Sequence, residues 1–171
     1  HQNVGTEHNP AARRIEVIEH YVRMDYQGNG KAELYKVYSG ASEGQLLYRR
    51  GFHTLVLAAK EHQPPAARFT GLRVLHAPLD DSGTPMSTAE WRIAKAAAER
   101  VARAVLSGQR VLITCQQGRN RSGLVTALAL HLLTGYAGSA CAERVRQHRQ
   151  RGLPAGVQAL VNPYFNAALA G

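Results

Sequence analysis

The chain is short of cysteine, of metal-ligand spacings and of long apolar runs, and each shortage closes off a class of protein. Two cysteines, Cys115 and Cys141, cannot build a disulfide framework. Eight histidines are scattered without a His-x-x-x-His or Cys-x-x-Cys pair, so no metal or other cofactor is expected. The longest apolar run, residues 124–133, includes His131 and is too short to span a bilayer. No secretory leader pattern opens the sequence. Acidic residues also run out: from Arg100 onward there are nine arginines, no lysine and a single acid, Glu143. Most of the formal charge of +9 therefore sits in that half. Such a charge either coats solvated helix surfaces or forms an electropositive face that attracts polyanions.

What remains suits one domain: 171 residues, 44% hydrophobic and 19% charged. Residues 1–10 are set aside as a disordered or added N-terminal extension, leaving 11–171 as the domain. Helical spacing predicts a helix over 11–23, a turn over 27–30, a short strand over 33–38 and a short helix over 46–50. Buried strands follow at 52–58 and at 72–75, the second stopping before Pro78. Ser87 and Glu90 have capping-box spacing at the head of a long apolar-striped helix that ends at Gly108. A strand over 110–114 and helices over 122–134, 139–151 and 157–169 complete the chain. Cys141 falls in a helical pattern and reads as a small core residue. Alternating strands and helices predict an α/β fold, a single domain with a central, mostly parallel sheet flanked by helices on both faces.

The chemistry is concentrated in Cys115-Gln116-Gln117-Gly118-Arg119-Asn120-Arg121-Ser122-Gly123. This stretch joins the apolar strand Val111, Leu112, Ile113 to a helix beginning near Ser122. A loop of that length can turn its backbone N–H groups onto one point, and the helix adds unpaired N–H groups and the positive end of its dipole. Such a cup binds a tetrahedral oxyanion. Arg121 adds a planar fork that matches two oxygens of the ion. The same positive field favours the thiolate of Cys115, placing a nucleophile beside a bound phosphate.

Cys-x5-Arg-Ser-Gly resembles the signature loop of the protein tyrosine phosphatase superfamily, and the chain length and acid spacing are most similar to its dual-specificity branch. Weaker likenesses extend from Tyr38-Ser39-Gly40 through residues 142–149 to Asn162-Pro163-Tyr164-Phe165. The resemblance implies the cysteine phosphatase fold and a reaction through a cysteinyl-phosphate intermediate, independent of metal. It implies catalytic roles for Cys115, Arg121 and Ser122, with phosphate held by Gln116, Gln117, Gly118, Arg119, Asn120 and Arg121. It also implies a general acid on a loop about thirty residues upstream, where Asp80 and Asp81 both stand; Asp81 is favoured, the other serving as a turn or helix-entry residue.

The implied substrates are phosphotyrosine and phosphoserine or phosphothreonine in proteins, or another phosphate monoester, and a nucleophilic thiol implies the cytoplasm. Three residues depart from the pattern. Thr114 stands where the family usually has histidine, and its hydroxyl can replace some of the same backbone hydrogen bonds. Arg119 resembles phosphoinositide phosphatases and Asn120 resembles RNA 5′-triphosphatases of this fold, which opens a polyanionic, non-protein substrate as the alternative. Arg119 would then meet a second phosphate at the rim, unless it only bonds a neighbouring loop. A catalytically silent phosphate-binding module is the remaining class. Oligomeric state is not legible in the sequence.

Overall fold

Residues 54–59, all buried, form the middle strand of the sheet, as a parallel strand covered on both faces should. In this computed structural model the described residues are 47–48, 51–150 and 154–171. The elements expected at 11–23, 27–30 and 33–38 lie outside them, as does most of the short helix at 46–50, of which Leu47 and Tyr48 are helical. The described order is β1 (Thr54–Ala59), a 3-10 turn (Ala66–Arg68), β2 (Arg73–Leu79), α1 (Thr88–Leu106), β3 (Val111–Thr114), α2 (Arg121–Thr134), α3 (Gly138–Arg149) and α4 (Pro163–Ala170). The sheet runs β2-β1-β3, parallel throughout.

Strand β1 pairs Thr54 with Val111 and Leu57 with Thr114, so β3 delivers residue 115 at the carboxyl end of the sheet. Strand β2 continues past the expected stop at residue 75, through Pro78 to Leu79. The register shifts between Leu57 and Ala59, and this irregularity takes in the proline. Proline is tolerated there because β2 is the outer strand of the described sheet.

Helix α1 starts on the predicted capping box: Glu90 N–H donates to Ser87 Oγ at 3.1 Å, and Ser87 N–H to Glu90 Oε1 at 3.4 Å. Its buried stripe is mostly alanine (Ala94, Ala97, Ala98, Ala102, with Val101 and Val105), which lets it lie close against α2. Helix α2 is buried along nearly its whole length, because α1 and α3 pack on it while it also meets the sheet. It closes at Gly135 in the left-handed region. Helices α1 and α2 pack on the sheet and on each other, with α3 on α2 and α4 on both α2 and α3, giving a small α/β domain with a parallel sheet flanked by helices.

The helix expected over 157–169 is shorter than its pattern. It begins at Pro163, which has no N–H to give an earlier turn and biases Asn162 away from helical geometry. Residues 154–162 are instead irregular, with Leu160 at φ 51°. No helix among the described residues is long and apolar enough to cross a membrane.

Candidate active site

Thr114 closes β3 with its hydroxyl donating to the carbonyl of Val56 at 3.1 Å, which straps the strand end to β1 just before Cys115. The chain then turns through Gly118, whose φ of 64° suits glycine, and enters α2 at Arg121. Helices α1 and α4 have side-chain caps, from Ser87 and Asn162. Helix α2 has none, so the N–H groups of its first turn are not taken up by a capping side chain. Cys115 is buried, and its Sγ donates to Ser122 Oγ at 3.3 Å.

Arg121 is 6% exposed, and its donors are divided in a specific way. Nη1 and Nη2 each reach one oxygen of Glu61, at 2.5 and 2.8 Å, and Nη1 also donates to the carbonyl of Leu79 at 3.1 Å. A guanidinium has five N–H groups. Three are therefore used, and the two left over, Nε–H and the second Nη2–H, lie along one edge as an open fork. Burial works against the charge on Arg121. The hydrogen bonds it donates to Glu61 and the charges at Cys115, Glu61 and Asp81 outweigh it, so the guanidinium is held above its ordinary value. The Glu61 carboxyl is lowered in turn, chiefly by the hydrogen bond from Arg121 and against some desolvation. The turn carrying Glu61 is secured by Gln63, whose Nε2 donates to the carbonyls of Leu57 and Ala59.

Both acids of the upstream loop reach the same place. The two oxygens of Asp81 accept from two amides, Oδ2 from Asn120 Nδ2 at 2.8 Å and Oδ1 from Asn162 Nδ2 at 2.8 Å. Asn120 also accepts the N–H groups of Val161 and Asn162 on its Oδ1, at 2.9 and 3.2 Å. Asp80 is tied through its backbone N–H to Glu90 of α1 at 3.1 Å. Arg119 donates its Nε–H to the carbonyl of Gln158 at 2.9 Å and so bonds the neighbouring loop.

Arg149 on α3 is buried behind the loop, donating Nε–H to Gly118 O at 2.6 Å and Nη2–H to Gln117 O at 3.0 Å. A planar peptide unit points its carbonyl and its N–H in opposite directions. Pulling these two carbonyls toward α3 therefore turns the N–H groups of Gly118 and Arg119 away from it.

A cavity of about 310 Å³ is lined by Glu61, Asp80, Asp81, Cys115, Gln116, Gln117, Arg119, Asn120 and Arg121. Every expected catalytic or phosphate-binding residue borders it except Gly118, which lies in the loop between them, and Ser122, which reaches it through the Cys115 sulfur. Three members of the site were not singled out: Glu61, Arg149 and the Asn162 amide. Arg121 and Gly123 begin α2, and a Cβ on Gly123 would lie 2.8 Å from Leu160 Cγ, which is why the first turn carries glycine there.

No family model and no curated protein matches this chain in sequence. Solved structures do. A point variant of human DUSP28 is 25% identical, covering 77% of this chain and 84% of that one with a TM-score of 0.55. A mouse protein described as a dual specificity phosphatase, complexed with zinc tungstate, is 26% identical over 76% of each chain, with a TM-score of 0.53. Kinase associated phosphatase, solved with its catalytic site cysteine replaced by serine, shares the fold at 19% identity and a TM-score of 0.58, over 75% of this chain and 72% of that one. With a parallel sheet delivering Cys115 into a loop closed by Arg121, the chain belongs to the protein tyrosine phosphatase superfamily of phosphatases, in its dual-specificity-like branch.

Proposed function

We propose that the chain hydrolyses phosphate monoesters through the thiolate of Cys115, with protein phosphotyrosine, and phosphoserine or phosphothreonine, as substrates. The observation that carries this reading is the convergence of Cys115, the free edge of Arg121 and the Asp81 carboxyl on one cavity. Phosphate enters with two oxygens on the Arg121 fork and others on the loop N–H groups of Gly118 and Arg119. The thiolate attacks phosphorus as the bond to the ester oxygen breaks, and Asp81 gives its proton to that leaving oxygen. The product is a cysteinyl-phosphate. The Asp81 carboxylate then takes a proton from water, the water oxygen bonds to phosphorus, and the sulfur leaves as thiolate. Ser122, 3.3 Å from that sulfur, turns its O–H to donate a hydrogen bond that stabilises the departing thiolate. All the positive charge the reaction uses comes from Arg121 and the loop amides, so no metal takes part. A thiolate nucleophile works in reducing surroundings, which carries a cytoplasmic location with the proposal.

Arg119 supports a second reading. It borders the cavity yet spends only Nε–H on Gln158, so its terminal amino groups remain for a second phosphate, as a phosphoinositide or an RNA 5′-phosphate would present. Hydrolysis of para-nitrophenyl phosphate in the presence of EDTA tests the mechanism, with full activity expected and none in Cys115→Ser. A panel of phosphopeptides, phosphoinositides and triphosphorylated RNA then ranks the substrates. Activity surviving in Cys115→Ser, or abolished by EDTA, would reject the thiolate route.

A further inference from the structure

Arginines dominate the second half of the chain, and most of the described ones have visible work. Arg121 and Arg149 build the cup, Arg119 holds Gln158, Arg146 binds Glu143 and Asn166, and Arg110 covers the ring of Phe52. Among the described residues, Arg100 and Arg103 have no hydrogen-bond or ion-pair partner. They share a cleft with Arg73, the first residue of β2, which has none among the described residues either. The three border a cleft of about 340 Å³ together with Thr54, Ser107 and Gln109, and among the described residues no acid lines it. The nearest acid in sequence, Glu99, faces a different groove, beside Trp91 and Leu128.

This cleft lies at the amino ends of the strands. At roughly 3.3 Å of rise per residue, it is about 15–20 Å from the Cys115 end of the same sheet. A cation in the last turn of a helix interacts favourably with the dipole, which accounts for Arg103. It does not account for Arg73, which arrives from a strand and adds a third like charge to the cluster.

We propose that Arg73, Arg100 and Arg103 form a second anion site, separate from the catalytic cavity, that takes a compact polyphosphate. Three planar forks around one cleft match several phosphate groups on a small scaffold, two oxygens per fork. The volume is at the small end of the range for small-molecule sites, about 300–1,000 Å³, which favours a compact ligand over an extended strand. Soluble polyphosphates and the headgroup of a multiply phosphorylated lipid share this chemistry.

The test titrates inorganic tripolyphosphate into the Cys115→Ser protein by calorimetry. Two binding sites are expected. Adding Arg100→Ala and Arg103→Ala should remove one of them, weakening it by roughly ten-fold or more, because two of the three forks that hold the phosphates are lost together. Arg73→Glu, placed on a different element, should do the same. With Cys115 intact, para-nitrophenyl phosphate turnover should be unchanged in these variants, and exposed arginines leave the fold in place, which circular dichroism checks. Vesicles of phosphatidylcholine containing phosphatidylinositol bisphosphate separate the sources. Arginine-dependent vesicle binding assigns a lipid headgroup, and tripolyphosphate binding without it assigns a soluble ligand. A single tripolyphosphate site untouched by either variant overturns the proposal, as does tighter arginine-dependent binding of duplex DNA than of tripolyphosphate. Loss of para-nitrophenyl phosphate turnover in the otherwise unaltered protein would speak only against the catalytic reading.

Discussion

Asn162 donates its side-chain N–H to Asp81 across 81 positions of sequence, at 2.8 Å. Asn120 holds the other oxygen of the same carboxyl, so two amides from two directions fix its plane at the cavity. Asn162 also caps α4 through its Oδ1, which accepts from Tyr164 and Phe165. The acid loop and the last helix are thereby joined by one side chain.

Asp81→Asn should slow substrates with poor leaving groups by about 10²–10⁴-fold and spare activated ones. Asn162→Ser separates cap from clamp, because a serine hydroxyl still caps α4 while being too short to reach Asp81. Its turnover of poor leaving groups should fall by roughly ten-fold with little loss of stability, since small misplacement of a catalytic group is costly. Equal slowing of good and poor leaving groups in Asn162→Ser would show that the amide does not act through the acid. If Asp80→Asn rather than Asp81→Asn gives the leaving-group pattern, the acid is the neighbouring residue.

Glu61→Gln should lower kcat/KM by roughly ten-fold, mainly through KM, because the guanidinium loses the partner that aims its free edge. The pair also has an acid signature. The folded-state carboxyl of Glu61 is lowered, so its stabilising effect is complete above the ordinary carboxylate range and is lost as pH falls through the lowered value. Thermal melting from neutral pH down to about pH 3 should therefore decline less steeply in Glu61→Gln than in the parent. Identical slopes would mean that the pair is not formed in solution.

Arg149→Ala should be among the most damaging changes outside the cavity. It leaves the buried carbonyl of Gly118 without this donor, at about 1–3 kcal/mol, and removes a further bond from the part-buried carbonyl of Gln117. Chemical denaturation measures that loss. Arg149→Lys restores the charge but cannot span both carbonyls, so it should recover part of the stability and little of the phosphate affinity. Full recovery of vanadate binding in Arg149→Lys would count against the bracing role.

Gly123→Ala should destabilise by roughly 1–3 kcal/mol, since its new Cβ meets the Leu160 side chain at 2.8 Å. Combining it with Leu160→Ala should cost less than the sum of the two single changes, because the clash disappears. Additive losses would place the strain elsewhere.

The Cys115-to-Gly123 loop, the capping box at Ser87 and the buried run at β1 were legible because each depends on neighbours in sequence. Glu61 and Arg149 were not. Each meets the loop through tertiary contacts, 60 positions before Arg121 and 31 after Gly118, and neither sits in a local pattern that marks it. The position of Glu61 just beyond the carboxyl end of a parallel strand was an available hint, since ligand sites collect there. Asn162 was readable too, as a good N-cap residue directly before a proline at the first helical position. The hydrophobic spacing beyond residue 157 runs straight through that stop signal and hides the irregular segment before it.

Irregular surface segments usually tolerate insertions and deletions. The one between Pro154 and Asn162 has little such freedom. Gln158 offers its carbonyl to Arg119, Leu160 N–H reaches the carbonyl of Arg119 at 3.1 Å, and Val161 and Asn162 hold Asn120. One added residue would put all four grips out of phase together, and with them the aim of Asp81. The length of this segment is thus a chemical parameter. Relatives in which it is longer or shorter should differ first in which leaving groups they tolerate, even where every residue bordering the cavity is the same.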